Sequence, residues 1–212
     1  MANRKAYGFQ PHAPLDGRSS PDPEVFQVAT GYQAQDDGTS FSVDLNIGDP
    51  VKLVNDGSVA LALTTQPAYG IIVSCPQVYD AVKGVVAPAP RVPGATAWGT
   101  DLNNQTLVSV VRADSWVFRL QADENTTATT EAAYNALRNQ NISHTCVGDT
   151  TAKIADPLAG MSTANTTAGL TWRIVGTYPG VDQKFDETFV TLLVTANLGQ
   201  SAGQAATTIA GV

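Results

Sequence analysis

Apolar and polar positions alternate most clearly in two stretches of the last third of the chain. Residues 170–178 read Leu-Thr-Trp-Arg-Ile-Val-Gly-Thr-Tyr, and residues 189–197 read Phe-Val-Thr-Leu-Leu-Val-Thr-Ala-Asn. A period of two predicts a pair of β-strands joined by a connection. Because Phe189 and Leu193 make the second strand apolar on its other face as well, we expect cover on both faces, from the same fold or from another chain.

The same pattern recurs through most of the preceding chain. Asn55-Asp56-Gly57 is a strong hairpin signal, because these residues tolerate a positive φ. The one convincing helix covers about residues 130–139, with Thr129 or Thr130 as its cap. Strands and turns at such regular spacing predict an all-β fold: a β-barrel or β-sandwich body with one short helix and extended N- and C-terminal arms. Further strand candidates are residues 41–47, 51–54, 70–75, 79–86, 107–112 and 115–121.

Two stretches are instead predicted to be loops. Residues 87–100 contain Pro88, Pro90 and Pro93, and residues 156–168 are small and polar. Proline removes a backbone donor from a ladder, and small polar side chains bury little apolar area. We therefore expect neither stretch to contribute a strand.

The two ends of the chain differ from the middle. Residues 1–24 contain four prolines and little periodicity, which favours extended backbone. Such an end is commonly a disordered terminus, but Tyr7 and Phe9 are the kind of anchors that an arm docking on a neighbour needs to offset its ordering entropy. The predicted organisation is an extended N-terminal arm (1–24), a single β-rich domain (25–197) and a flexible C-terminal tail (198–212).

Composition narrows the choice of partners. Charged residues make up 15% of the chain, against about 25% in typical soluble domains, and the net charge is −7. This acidity argues against binding to a nucleic-acid backbone, and no apolar run reaches the roughly 18 residues needed to span a membrane. With no secretory signal recognised, synthesis in the cytoplasm is expected, where Cys75 and Cys146 are predicted to be two buried thiols.

Candidate catalytic groups are few. Gly160–Ala164 is the nearest approach to a hydrolase elbow, but it lacks the second glycine. His12 falls in the predicted arm, and His144 is expected at the surface or at a strand edge. His144 and Cys146 would share a strand face, yet the chain has no Cys-x-x-Cys and no other pairing at ligand spacing. We therefore predict no enzyme, no catalytic residue, no cofactor and no metal site.

Several runs of the sequence resemble one protein family. These runs are Leu170–Tyr178 and Phe189–Asn197, then Trp116–Asp123 with the turn at Gly148-Asp149, and finally residues 7–11 and Gly48–Leu53. In that order they resemble the closing segment, the segment that precedes it and the opening of the capsid decoration (cement) proteins of tailed bacteriophages. The similarity covers much of residues 25–197.

The resemblance implies a β-barrel or β-sandwich that binds the outside of a phage head, often as a trimer, and holds neighbouring major capsid subunits together. We accordingly expect a structural virion protein on the capsid exterior, made in the host cytoplasm. Its expected partners are the major capsid protein and further copies of itself, with no nucleic acid or membrane. The residues predicted to make capsid or intersubunit contacts are Tyr7, Phe9, Arg18, Phe189 and Leu193.

The alternative function is a carbohydrate-binding β-sandwich, an adhesion module on a virion or cell surface. Trp98, in the predicted loop of residues 87–100, is the exposed ring that such a site would use. Trp116 and Trp172 fall on apolar strand faces and are expected in the core.

Overall fold

Fourteen strands and one short helix make up the part of the chain that the computed structural model describes. The described residues are 8–15, 17, 20–28, 45–54, 57–64, 66–80, 85–92, 106–123, 130–145, 158–166, 169–180, 185 and 190–197. The helix α1 spans Glu131–Ala136. In chain order the strands are β1 (Gln10–Pro14), β2 (Glu24–Gln27), β3 (Leu45–Asn46), β4 (Pro50–Leu53), β5 (Val59–Leu61), β6 (Gly70–Asp80), β7 (Val85–Ala89), β8 (Arg91–Val92), β9 (Leu107–Arg112), β10 (Trp116–Gln121), β11 (Asn141–Thr145), β12 (Leu158–Asn165), β13 (Trp172–Thr177) and β14 (Thr191–Ala196). The predicted all-β class is confirmed.

The strands form two six-stranded sheets and one small ribbon. Sheet A has the order β1-β10-β14-β13-β11-β12, and sheet B has the order β2-β9-β6-β4-β5, with β7 paired to the second half of β6. The ribbon consists of β3 and β8. Single bridges from Val28 to Val59 in sheet B, and from Ala122 to Ala159 in sheet A, bring distant strands of each sheet together. Both sheets are therefore strongly curled.

Sheet B is apolar on both faces, because successive residues of a strand point to opposite sides. Ile71 belongs to the core that sheet B shares with sheet A. The next residue, Ile72, belongs to a second core together with Leu45 and Val92 of the β3–β8 ribbon. Full burial of each such side chain is worth about 1.5–3 kcal/mol. Sheet B is therefore the middle layer, and the ribbon covers the face that sheet A leaves free.

The structure confirms two predictions made from local sequence, one turn and one helix start. The Asn55-Asp56-Gly57 signal lies between β4 and β5, which pair as a hairpin, and Gly57 has φ +82°. At the start of α1, Thr130 Oγ1 accepts a hydrogen bond from the Ala133 backbone N–H at 3.2 Å. The described helix is shorter than the predicted residues 130–139.

Both predicted loops contain strands, so these two predictions are wrong. Within residues 87–100, β7 continues to Ala89 and β8 follows at Arg91–Val92. In the described part of the chain β7 pairs with β6 alone, and an edge strand accommodates a proline such as Pro88. Within residues 156–168, β12 pairs with β11 at the edge of sheet A through its backbone, which requires no large apolar side chains.

The boundary of the predicted N-terminal arm also needs correction. Residues 10–14 form β1, which pairs with β10 from Gln10 opposite Arg119 to Pro14 opposite Trp116. The Phe9 N–H donates to the Gly48 carbonyl oxygen at 2.9 Å. Two prolines are tolerated because β1 is the outermost strand of sheet A. Residues 8–15 are thus part of the body.

Candidate functional site

Phe9, one of the predicted contact residues, lies in the core of its own chain. It is 2% exposed, and its ring centroid lies 4.4 Å from that of Trp172 and 6.3 Å from that of Phe118. A side chain enclosed in this way is not available to a second chain. The sequence expectation for Phe9 is corrected: the ring stabilises the body.

His144 is fully buried beside the same rings, not at the surface or a strand edge as expected. Its Nδ1 accepts a hydrogen bond from Trp172 Nε1–H at 3.1 Å, so the proton is on Nε2, which donates to the Ala62 carbonyl oxygen at 3.1 Å. Burial lowers the pKa of His144 to about 4. At neutral pH the imidazole is therefore uncharged, and both of its nitrogens are engaged in holding the core together.

The outer face of sheet A carries a group of side chains that converge around Leu193. Leu193 is half-buried and lies opposite Arg119 in the β10–β14 ladder and opposite Gly176 in the β13–β14 ladder. The Arg138 guanidinium covers Gly176, with Nη2 3.5 Å from the position that a Cβ would occupy. Since neighbouring strands are about 4.8 Å apart, Arg119 and Gly176 lie on either side of Leu193 with their Cα atoms roughly 10 Å apart along one row of the sheet.

Arg173 and Tyr178 complete this surface. Arg173 is exposed on β13, and its Nη2 donates to Asn139 Oδ1 at 3.1 Å. The Tyr178 ring centroid lies 5.0 Å from Arg119 Cζ, a cation–π contact worth about 0.5–2 kcal/mol. We call the surface formed by Arg119, Arg138, Arg173, Tyr178 and Leu193 the arginine face.

His12 extends the stack at the edge of the arginine face. Its ring meets Tyr178 edge-on at a centroid distance of 5.4 Å. Partial burial, and secondarily the positive charge of Arg119, lower the pKa of His12 below its usual 6.5. At pH 7 the imidazole is therefore mostly neutral, and the positive charge of the face comes from the arginines.

The arginine face is electrostatically unbalanced. Within the described part of the chain, none of its three guanidiniums is paired with a carboxylate, whereas Arg112, at the far end of β9, is paired with Asp114 at 2.6 Å. Arg119 Nε is buried and has no hydrogen-bond acceptor among the described residues. Three positive charges therefore lie on one face of a chain whose net charge is −7.

A groove of about 410 Å³ lies at the turn between β9 and β10 and is a weaker candidate. Its charged residues hold each other: the Tyr69 hydroxyl donates to the Glu24 carboxylate, and Arg112 forms a forked ion pair with Asp114 through Nε at 3.1 Å and Nη2 at 2.6 Å. Burial and the Glu24 carboxylate raise the pKa of Tyr69, while Asp114 raises that of Arg112. The first contact ties β2 to the residue that precedes β6, and the second lies within the β9–β10 turn, so both have a structural role.

The other candidate groups from the sequence, namely the cysteines, a metal site and the hydrolase elbow, form no functional site in the described residues. Cys75 is a free, buried thiol whose pKa is raised to about 12 by burial, as expected for a core residue, and Cys146 lies outside the described residues. No group of three or more His, Cys, Asp or Glu side chains is arranged to hold a metal in the described part of the chain. Gly160 lies within β12 and not at a strand-to-helix turn. Among the described helices, none is long and apolar enough to cross a membrane.

The structure describes only some of the residues that were predicted to make capsid or intersubunit contacts. Leu193 lies on the outer face of sheet A, while Tyr7, Arg18 and Phe189 lie outside the described residues. Sequence reasoning missed Arg119, Arg138, Arg173 and Tyr178. For Arg119 a signal existed, because it is the one charged residue of strand β10. Arg138 follows α1 and reaches over β13, and no local sequence pattern predicts that contact.

Comparison of the chain with protein-family models, with curated proteins and with solved structures found no match. The geometry of the described surfaces therefore carries the functional argument.

Proposed function

We propose that this chain is a structural virion protein that binds the outer surface of a phage head and cements major capsid subunits. The observation that carries the proposal is the position of Leu193, an apolar side chain on the outer face of sheet A with Arg119 and Arg138 on either side. An apolar centre within a polar rim is the usual anatomy of a protein-docking surface. The sequence resemblance to decoration proteins supplies the partner.

The glycan-binding alternative has no specific observation in its favour. Trp116 and Trp172 are 5% and 0% exposed, so neither ring offers a stacking surface for a sugar. Trp98 lies outside the described residues. Glycan binding is therefore not proposed, but the experiment below would detect it.

The direct test is co-sedimentation of the purified full chain with expanded, undecorated heads of tailed phages. We expect saturable binding, and light scattering of the free protein is expected to give three times the 22.1 kDa chain mass. Replacement of Leu193 by serine removes the apolar centre, so we expect head binding to weaken about tenfold, as for a central interface residue worth 1.4 kcal/mol.

The matched control is Val86→Ser, which removes an exposed apolar side chain from β7 on a different sheet. Both variants are checked by thermal melting, so that a loss of binding is not confused with a loss of fold. If Leu193→Ser bound heads as well as the wild type, Leu193 would not be the centre of the docking surface, and the proposed function would lose its main support. Wild-type protein that ignores heads but binds a glycan panel through Trp98 would replace the proposal with the alternative function.

A further inference from the structure

We infer that the arginine face binds an acidic segment of the partner protein, an exposed stretch in which carboxylates flank an apolar side chain. This inference rests on the proposed function, because it names the chemistry of the surface on which the chain would dock. The charges and the geometry of the described side chains favour one kind of ligand, a protein segment that carries carboxylates.

The geometry is that of a row of cations interrupted by one apolar residue. Arg119, Leu193 and the Arg138 guanidinium above Gly176 follow one another across three adjacent strands. Arg173 lies on the same face, next to Asn139 at the end of the helical turn. A segment crossing the strands would place its apolar side chain on Leu193 and its carboxylates on the guanidiniums at either side.

The chemistry of the three side chains favours carboxylates. A guanidinium presents several N–H donors in a planar fork, which matches the two oxygens of a carboxylate. Arg119 is held in place by the Tyr178 ring, so less side-chain freedom is lost when a partner binds. Because none of these guanidiniums has a carboxylate partner within the described residues, an incoming carboxylate would not have to displace one there.

The rest of the molecule argues for a protein rather than a nucleic acid. The net charge of −7 repels a phosphate backbone at long range, whereas a protein segment with a few carboxylates carries a much smaller charge. The apolar Leu193 at the centre of the row also favours a segment that can bury an apolar side chain against it.

The test uses the full chain, undecorated phage heads and a fluorescein-labelled peptide of alternating glutamate and leucine as the acidic probe. The double variant Arg138→Glu/Arg173→Glu reverses two exposed charges of the arginine face. The matched control, Lys52→Glu/Arg91→Glu, reverses two charges on β4 and β8, away from sheet A. We expect the arginine-face variant to weaken binding to both heads and peptide at least tenfold, and the control to change it less than threefold. Wild-type binding should also fall as salt rises from 50 to 300 mM.

The outcomes separate this inference from the proposed function. Wild-type and arginine-face variant that bind heads equally well would overturn the inference and leave the proposed function standing. Wild-type that binds the acidic peptide through these arginines but ignores heads would support the inference and overturn the proposed function. Failure to bind either probe overturns both. Tighter binding to a 20-base-pair DNA duplex than to the peptide would overturn the choice of a protein partner.

Discussion

The chemistry of His144 is set by its surroundings. It links the two sheets, because it accepts from Trp172 of sheet A and donates to Ala62, which follows β5 of sheet B. Protonation of Nδ1 would turn a donor toward the Trp172 N–H and would place a charge in an apolar core. The folded chain therefore holds this imidazole neutral.

We expect the free energy of unfolding to fall on acidification, with His144 contributing up to roughly 3 kcal/mol. Its pKa is about 4 in the folded chain and about 6.5 in the unfolded chain. The unfolded state therefore takes up the proton first, so the loss begins as the pH falls below 6.5 and is complete below pH 4. Urea denaturation of the wild type and of His144→Gln at pH 7.5 and pH 4.5 measures the difference.

His12→Gln is the control for the His144 experiment, because it removes the other, exposed histidine. It should keep the wild-type dependence of stability on pH, whereas His144→Gln should reduce that dependence. If the His144→Gln variant lost as much stability between the two pH values as the wild type, burial of a neutral His144 would not explain the acid sensitivity.

At the scale of elements, β6 and β9 approach each other closely at Gly70. A Cβ on Gly70 would lie 2.5 Å from the Val111 carbonyl oxygen and would also clash with Val110 Cγ1. We expect Gly70→Ala to cost about 1–3 kcal/mol, because the backbone of a central ladder must move. Gly169→Ala has nothing within 4 Å of the new methyl group and should stay within about 0.5 kcal/mol of the wild type. Urea denaturation compares the two, and equal stabilities would contradict the close approach.

The elements that sequence predicted best are those whose signal is local. The alternation of residues 170–178 and 189–197 predicted β13 and β14, and it put Leu193 on the face opposite to Leu192 and Val194, as the structure has them. Such an assignment needs only the period of two. The start of α1 was likewise predictable, because a cap is a contact between near neighbours in sequence.

The elements that sequence missed owe their structure to distant partners. β1 and β12 contain prolines or small polar residues, and they are strands because β10 and β11 offer them free edges. Phe9 is in the core because β1 aligns it with Trp172, more than 160 residues away in sequence. The arginine face has the same origin: its residues come from β10, β14, β13 with the residue after it, and the turn after α1, and only the strand order of sheet A makes them neighbours.

For the whole molecule, the placement of residues 8–15 changes what an N-terminal truncation should do. Removal of residues 1–15 exposes the edge of β10 and empties the site of Phe9, and loss of that ring alone is worth about 3–5 kcal/mol. Removal of residues 1–7 leaves β1 and Phe9 in place. We expect the longer deletion to lower the melting temperature strongly or prevent folding, and the shorter one to melt like the full chain.

Thermal melting followed by circular dichroism distinguishes the two truncations. A 1–15 deletion as stable as the full chain would contradict the integration of β1 into sheet A. The 1–7 deletion has a second use, because it removes Tyr7 and keeps Phe9. If it stays folded but loses phage-head binding, the intersubunit contact predicted from sequence for Tyr7 gains support; unchanged binding would remove Tyr7 from the contact set.

The two-faced character of sheet B has a consequence for the cooperativity of the molecule. Ile71 and Ile72 are neighbours in sequence but belong to different cores, so β6 forms a boundary of both. Opening either core on its own would leave one apolar face of sheet B in water while the other stays packed. We therefore expect partly open forms to be high in free energy, and the two cores to unfold together as one unit.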